Sequence, residues 1–177
     1  RDAQTLVAVE DLYRPYKPKR RTRAMIAKEK GLEPLADLIS MQMVKEPLLQ
    51  AAAAYISQEK GVETAEDAIQ GAKDILAERI SDNAEYRTYI RNATMNKGVV
   101  QSSAKDEKAQ SVYEMYYNYE EPVKKCAGHR ILALNRGENE KILTVKIAAP
   151  EDQILMYLEK QTIVRDNPHT TPVLKEA

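Results

Sequence analysis

The residues best equipped for chemistry cluster near the start of the chain. Tyr13-Arg14-Pro15-Tyr16-Lys17-Pro18-Lys19-Arg20-Arg21-Thr22-Arg23 holds six Lys or Arg among eleven residues and no acid. Such cations meet phosphate oxygens, and a tyrosine ring among them can stack on a nucleobase. Pro15 and Pro18 restrict the backbone, which lowers the entropy lost when a ligand orders it. The stretch is therefore a candidate nucleic-acid contact made of Arg14, Lys17, Lys19, Arg20, Arg21 and Arg23, with Tyr16 as a stacking ring. In that reading Arg20 and Arg21 touch the sugar-phosphate backbone without reading bases. Two rival readings use the same residues. One is a solvated loop; the other is a clamp whose arginines are buried in bidentate pairs with carboxylates of neighbouring helices.

Charge elsewhere runs the other way. The 177 residues carry 27 Lys plus Arg and 27 Asp plus Glu, a net of +0. With the six cations of residues 13–23 set aside, 21 basic residues face 27 acidic ones, a net of −6. A neutral whole argues against a protein that coats nucleic acid with its entire surface, but allows one local basic site.

Other constellations offer less. Tyr113-Glu114-Met115-Tyr116-Tyr117-Asn118-Tyr119-Glu120-Glu121 has four tyrosines in seven residues. Its glutamates repel phosphate, and at helical spacing Tyr113, Tyr116 and Tyr117 make an inner packing face. Cys126-Ala127-Gly128-His129 invites a metal or thiol reading. One Cys and two His cannot build a protein-only zinc site of the common kind. A Cys–His nucleophile also needs an orienting third group and an oxyanion hole. No GxxxxGK[ST] or GxGxxG phosphate cradle occurs. The expectation is a non-enzyme, with no catalytic residue, metal ligand or cofactor. The single Cys126 cannot form an internal disulfide, which suits a reducing compartment.

The elements that must position these residues read as helical. A chain of this length fits one domain, or one domain with a small lobe. Thr64-Ala65-Glu66-Asp67 has the form of a capping box. Beyond it Ala68, Ile69, Ala72, Ile75, Leu76 and Ile80 fall on one face, with Glu66, Gln70, Lys73, Asp74 and Glu78 opposite. This predicts a central helix over 65–80. Asn83 caps a next helix with Tyr86, Tyr89, Ile90 and Ala93 inward, and Gly98 stands where a left-handed terminator is expected. Leu32, Leu35, Ala36, Ile39 and Met43 trace a helix over 33–43. Pro47 suits the start of another. Short helices are expected around Leu6–Tyr13, over 22–30 with Thr22 as cap, and over 153–160. HRILALNRGENE reads as a helix that breaks near Gly137. Ile142–Ile147 and the weaker Val99–Ser102 read as strands that pair. The fold class is mainly α: a multi-helix domain with room for one small two-stranded β ribbon. With no Phe or Trp, its core must be aliphatic, with tyrosines at the margins. No apolar run approaches the roughly 20 residues of a membrane span.

Two strings carry a family likeness. EDLYRPYKPKRRTRAMIAKEKGLEPLA (residues 10–36) and HRILALNRGENEKILTVKI (residues 129–147) resemble signatures of the bacterial Tex family of transcription accessory proteins. GAKDILAERISDNAEYRTYIR (residues 71–91) also fits. The resemblance implies a piece of the helical N-terminal region of a cytoplasmic, multidomain, RNA- and DNA-binding factor linked to transcription. It implies a helical domain over residues 1–165 and a terminal segment, 166–177, leading toward an RNase H-like domain. Helix-hairpin-helix units and an OB-fold RNA-binding domain would follow, the last being the family's chief nucleic-acid binder. Partners implied are nucleic acid through the parent protein, other domains of the same chain and the transcription machinery, with no membrane. The favoured role is a non-enzymatic scaffold and nucleic-acid-associated module; the alternative is a protein-interaction module that docks a transcription-machinery partner.

Overall fold

A computed structural model describes residues 5–177. Residues 1–4 of the expected helical domain lie outside the described residues. The chain forms two compact units, one of residues up to Arg87 plus Met156–Ala177, the other Thr88–Leu155. Mainly α is the observed class: nine α-helices and a small antiparallel sheet among the described residues.

The first unit is built on α5 (Ala65–Asp82). Thr64 accepts from the Asp67 amide while the Asp67 carboxylate accepts from the Thr64 amide, so two orphan donors of the first turn are satisfied. Ala68, Ala72, Ile75 and Leu76 are buried as the spacing predicts, with Ile69 and Ile80 half-buried. Against this face pack α2 (Arg23–Glu29), α3 (Glu33–Met41), α4 (Leu48–Ala53) and α9 (Thr171–Glu176). The core residues are Ala, Val, Leu and Ile, as the lack of Phe and Trp requires. Gly31 and Gly61 take positive φ where the chain turns out of a helix and through a tight loop.

α3 stops at Met41 rather than near residue 43, because Gln42 adopts φ 55° and reverses the chain. Gln42 is buried, and its side chain is fully used. The amide donates to the Thr162 carbonyl at 2.6 Å, and the oxygen accepts from the Arg165 amide at 2.9 Å. Asn167 adds donations to the carbonyls of Gln42 and Val44. This polar knot holds residues 162–171, and Leu174 of α9 then enters the core.

α1 (Leu6–Tyr13) forms where it is expected. Leu6, Val9 and Leu12 are exposed, and Asp11 is the residue it buries, paired with Arg87 at 2.8 Å. A helix with so little apolar burial opens easily. Hydrogen exchange of the 177-residue chain is expected to show α1 amides exchanging far faster than those of α5; equal protection would show that α1 is held by more than these contacts.

In the second unit, Thr88 to Lys97 complete α6 (Ala84–Lys97), whose first turn is capped in the first unit by the Asn83 side-chain Oδ1 accepting from the amides of Glu85 and Tyr86. Gly98 does not take the left-handed conformation expected of it. It is required for space, since a Cβ there would lie 2.9 Å from Thr94 Cγ2. The expected strands form and pair: β1 (Val99–Ala104) lies antiparallel to β3 (Leu143–Ala148), with Ser102 opposite Val145. A third strand, β2 (Asn118–Pro122), completes the order β2-β1-β3. It arises from the tyrosine stretch. Tyr113 and Tyr116 are buried as expected, but through a single 3-10 turn at Glu114–Tyr116, after which the chain extends. α7 (Gly128–Asn139) runs straight through Gly137 rather than breaking there, and packs on β3.

Candidate nucleic-acid interface

The basic stretch begins at the end of α1, passes through a 3-10 turn at Arg14–Tyr16 and runs extended to Thr22, the cap of α2. The Lys17 amide donates to the carbonyls of Tyr13 and Arg14, which with Pro15 fixes the turn. Thr22 accepts from the Met25 amide and donates to Glu78 at 3.0 Å. Both ends of the segment are thus anchored.

Between those anchors the cations divide. Arg14 pairs with Asp82 at 3.2 Å. The Lys19 ammonium bonds to Asp82 and reaches Glu78 at 3.5 Å. Arg23 stands 4.0 Å from Asp74, its side chain 84% exposed. Asp74, Glu78 and Asp82 are four apart on α5, so they form one acidic stripe. The basic segment runs antiparallel along it, Arg23 at one end and Arg14 at the other. Arg21 pairs with Glu29 of α2 at 2.7 Å, with both partners mostly exposed. Lys17 and Arg20 are exposed and have no carboxylate partner among the described residues. The rings of Tyr13 and Tyr16 also face solvent, Tyr16 at 79%.

The seven candidate residues therefore share a surface but not one environment. Arg14 and Lys19 are held on α5; Arg21 and Arg23 have loose partners; Lys17, Arg20 and Tyr16 are uncommitted. An open cleft of about 550 Å³ lies beside the segment, lined among others by Pro15, Lys17, Lys28, Arg79 and Asp82. Arg79 is turned to Asp37 at 2.7 Å and Glu33 at 3.2 Å. Burial lowers its pKa, but the hydrogen bonds and charges of Asp37 and then Glu33 outweigh this and raise it. The sequence offered a signal for the missing partners, because Asp74 and Glu78 already stood on the polar face of α5; Asp82 is the next step of that stripe.

The Cys126 thiol is turned to Glu121. Burial first, then the hydrogen bond and charge of Glu121, push the Cys126 thiol up, which disfavours the thiolate. Glu121 itself is held low by hydrogen bonds from Tyr119 and then Arg130, and serves the β2–α7 connection. Among the described residues no three His, Cys, Asp or Glu side chains converge in a way that can hold a metal ion. No described helix is long and apolar enough to cross a membrane.

A sequence profile of the family described as Tex central region-like matches residues 45–168. The chain belongs to the Tex family. The profile's description gives its location as a central region, a different address from the helical N-terminal region that the resemblance implied. Similar proteins include YdcI of Bacillus subtilis, a protein named uncharacterized, 51% identical over 97% of this chain and 24% of its own length. Protein tex of Bordetella pertussis is 40% identical over 85% of this chain and 19% of its own. A human protein named S1 RNA-binding domain-containing protein 1 is 30% identical over 82% of this chain and 15% of its own. The chain thus spans a quarter or less of the length of these relatives.

Proposed function

We propose that the chain is a non-enzymatic helical module of a cytoplasmic Tex-type transcription accessory protein, serving as a scaffold that also touches nucleic acid. The observation that carries this reading is the uncommitted pair Lys17 and Arg20 beside the exposed rings of Tyr13 and Tyr16, on a segment anchored at both ends. Phosphates of RNA or DNA are met by the two cations, and an unpaired base can stack on a ring. The contact is to the backbone and carries no base specificity. The names of relatives, a transcriptional accessory protein and an S1 RNA-binding domain-containing protein, point the same way.

The test is a salt series of oligonucleotide binding by the 177-residue chain. Lys17→Ala with Arg20→Ala is expected to reduce the slope of log affinity against log salt by about one to two, weakening all sequences equally. Melting should stay unchanged, since neither residue has a partner to strand. Lost melting with an unchanged slope would reject the reading.

Docking of a transcription-machinery partner is the second reading. It is favoured by the exposed Leu6, Val9 and Leu12 of α1. It requires that such a partner bind this chain while oligonucleotides do not.

A further inference from the structure

Resting on the nucleic-acid reading above, we propose that Glu78 and Asp82 are internal stand-ins for phosphate that hold the site partly shut, so that a polyanion must displace them to engage the segment fully. Both carboxylates line the cleft beside the basic segment. Asp82 takes Arg14 and Lys19; Glu78 takes Lys19 and the Thr22 hydroxyl. Their side chains are only 14% and 19% exposed, so water competes little for them. They are carried on a helix whose other face is the core, so they stay beside the segment when a ligand takes over its cations. Arg79, their neighbour in sequence, is spent on Asp37 and Glu33 and does not relieve their charge.

The consequence is a site that uses fewer cations than it owns. Near α5 the charges of Arg14 and Lys19 are cancelled by Asp82 and Glu78. An approaching strand first meets Lys17 and Arg20. To gain Arg14 and Lys19 it must exchange phosphate for carboxylate on each, and the freed carboxylates then repel it. The acidic stripe thereby sets affinity and its salt dependence, and a ligand of low charge density cannot drive the exchange.

Glu78→Gln with Asp82→Asn tests this, because both changes keep shape and one acceptor oxygen while removing charge. Binding of a labelled oligouridylate is followed by fluorescence anisotropy across a salt series. The double variant is expected to bind several-fold more tightly at low salt, with a slope steeper by about one to two units as Arg14 and Lys19 join Lys17 and Arg20. Adding Arg14→Gln and Lys19→Gln should abolish that gain, whereas the same two changes in the unaltered chain leave Glu78 and Asp82 uncompensated and should weaken binding. Glu78→Gln alone, which leaves the Arg14–Asp82 pair intact, should give part of the gain. Equal or weaker binding by the double variant, or a gain that survives loss of Arg14 and Lys19, overturns the proposal while leaving the nucleic-acid reading in place. Failure of both the unaltered chain and the double variant to bind overturns the two together.

Discussion

Replacing Ile75 with Ala is expected to lower the unfolding free energy by about 2–4 kcal/mol. Ile75 is fully buried at the middle of α5, in the core shared by α2, α3, α4 and α9. Removing its branched side chain forfeits the transfer energy of three carbons and leaves a cavity that four helices cannot all close at once. The surrounding core is made of alanines and aliphatic residues, and no buried aromatic is available to slide into the gap. Denaturant unfolding followed by circular dichroism measures the cost. A change under about half a kcal/mol would mean that the site collapses freely or is not packed.

Gly137→Ala is the second large effect, expected to destabilise by about 1–2 kcal/mol net. Glycine inside a helix is ordinarily improved by alanine, by roughly 1 kcal/mol. Here a Cβ would stand 2.5 Å from Leu143 Cδ1, 2.8 Å from Leu143 Cγ and 3.3 Å from Tyr113 Cδ1. Leu143 is fully buried in β3, in the core it shares with Tyr113 and Leu134. α7 must therefore lift from the sheet. Thermal melting of the variant decides the sign: a raised midpoint would show that the helix-to-strand approach is soft and that backbone entropy wins.

The elements with a strong apolar period were legible in the sequence. The Thr64 box, the α5 stripe and the β1–β3 pair follow from local chemistry that tertiary contacts reinforce. What escaped was set by contacts distant in sequence. β2 could not be read because the tyrosines just before it, Tyr113, Tyr116 and Tyr117, carry a helical spacing, and only pairing with β1 draws Asn118–Pro122 into an extended strand. Gly98 and Gly137 look like terminators, yet both are demanded by close approach, which no local pattern announces. The end of α3 was hidden because a glutamine, not a glycine, takes the left-handed turn. In the candidate site, the density of cations was plain. Their division into held and uncommitted groups was not, because it depends on α5 presenting Asp74, Glu78 and Asp82 in register with a segment more than fifty residues earlier.

The knot around Gln42 also bears on how this protein comes into being on a ribosome. Its partners, Thr162, Arg165 and Asn167, lie more than a hundred residues downstream, and Leu174 of the same unit follows them. While the early helices emerge, Gln42 has no buried partner and the groove destined for Leu174 stays open. The intervening Thr88–Leu155 stretch contains its own sheet and core and can organise while the first unit waits. The first unit thus needs residues made well after its early helices, and it closes only when a long loop is drawn shut. During that interval the incomplete helical core exposes apolar surface, the condition under which nascent chains turn to chaperones.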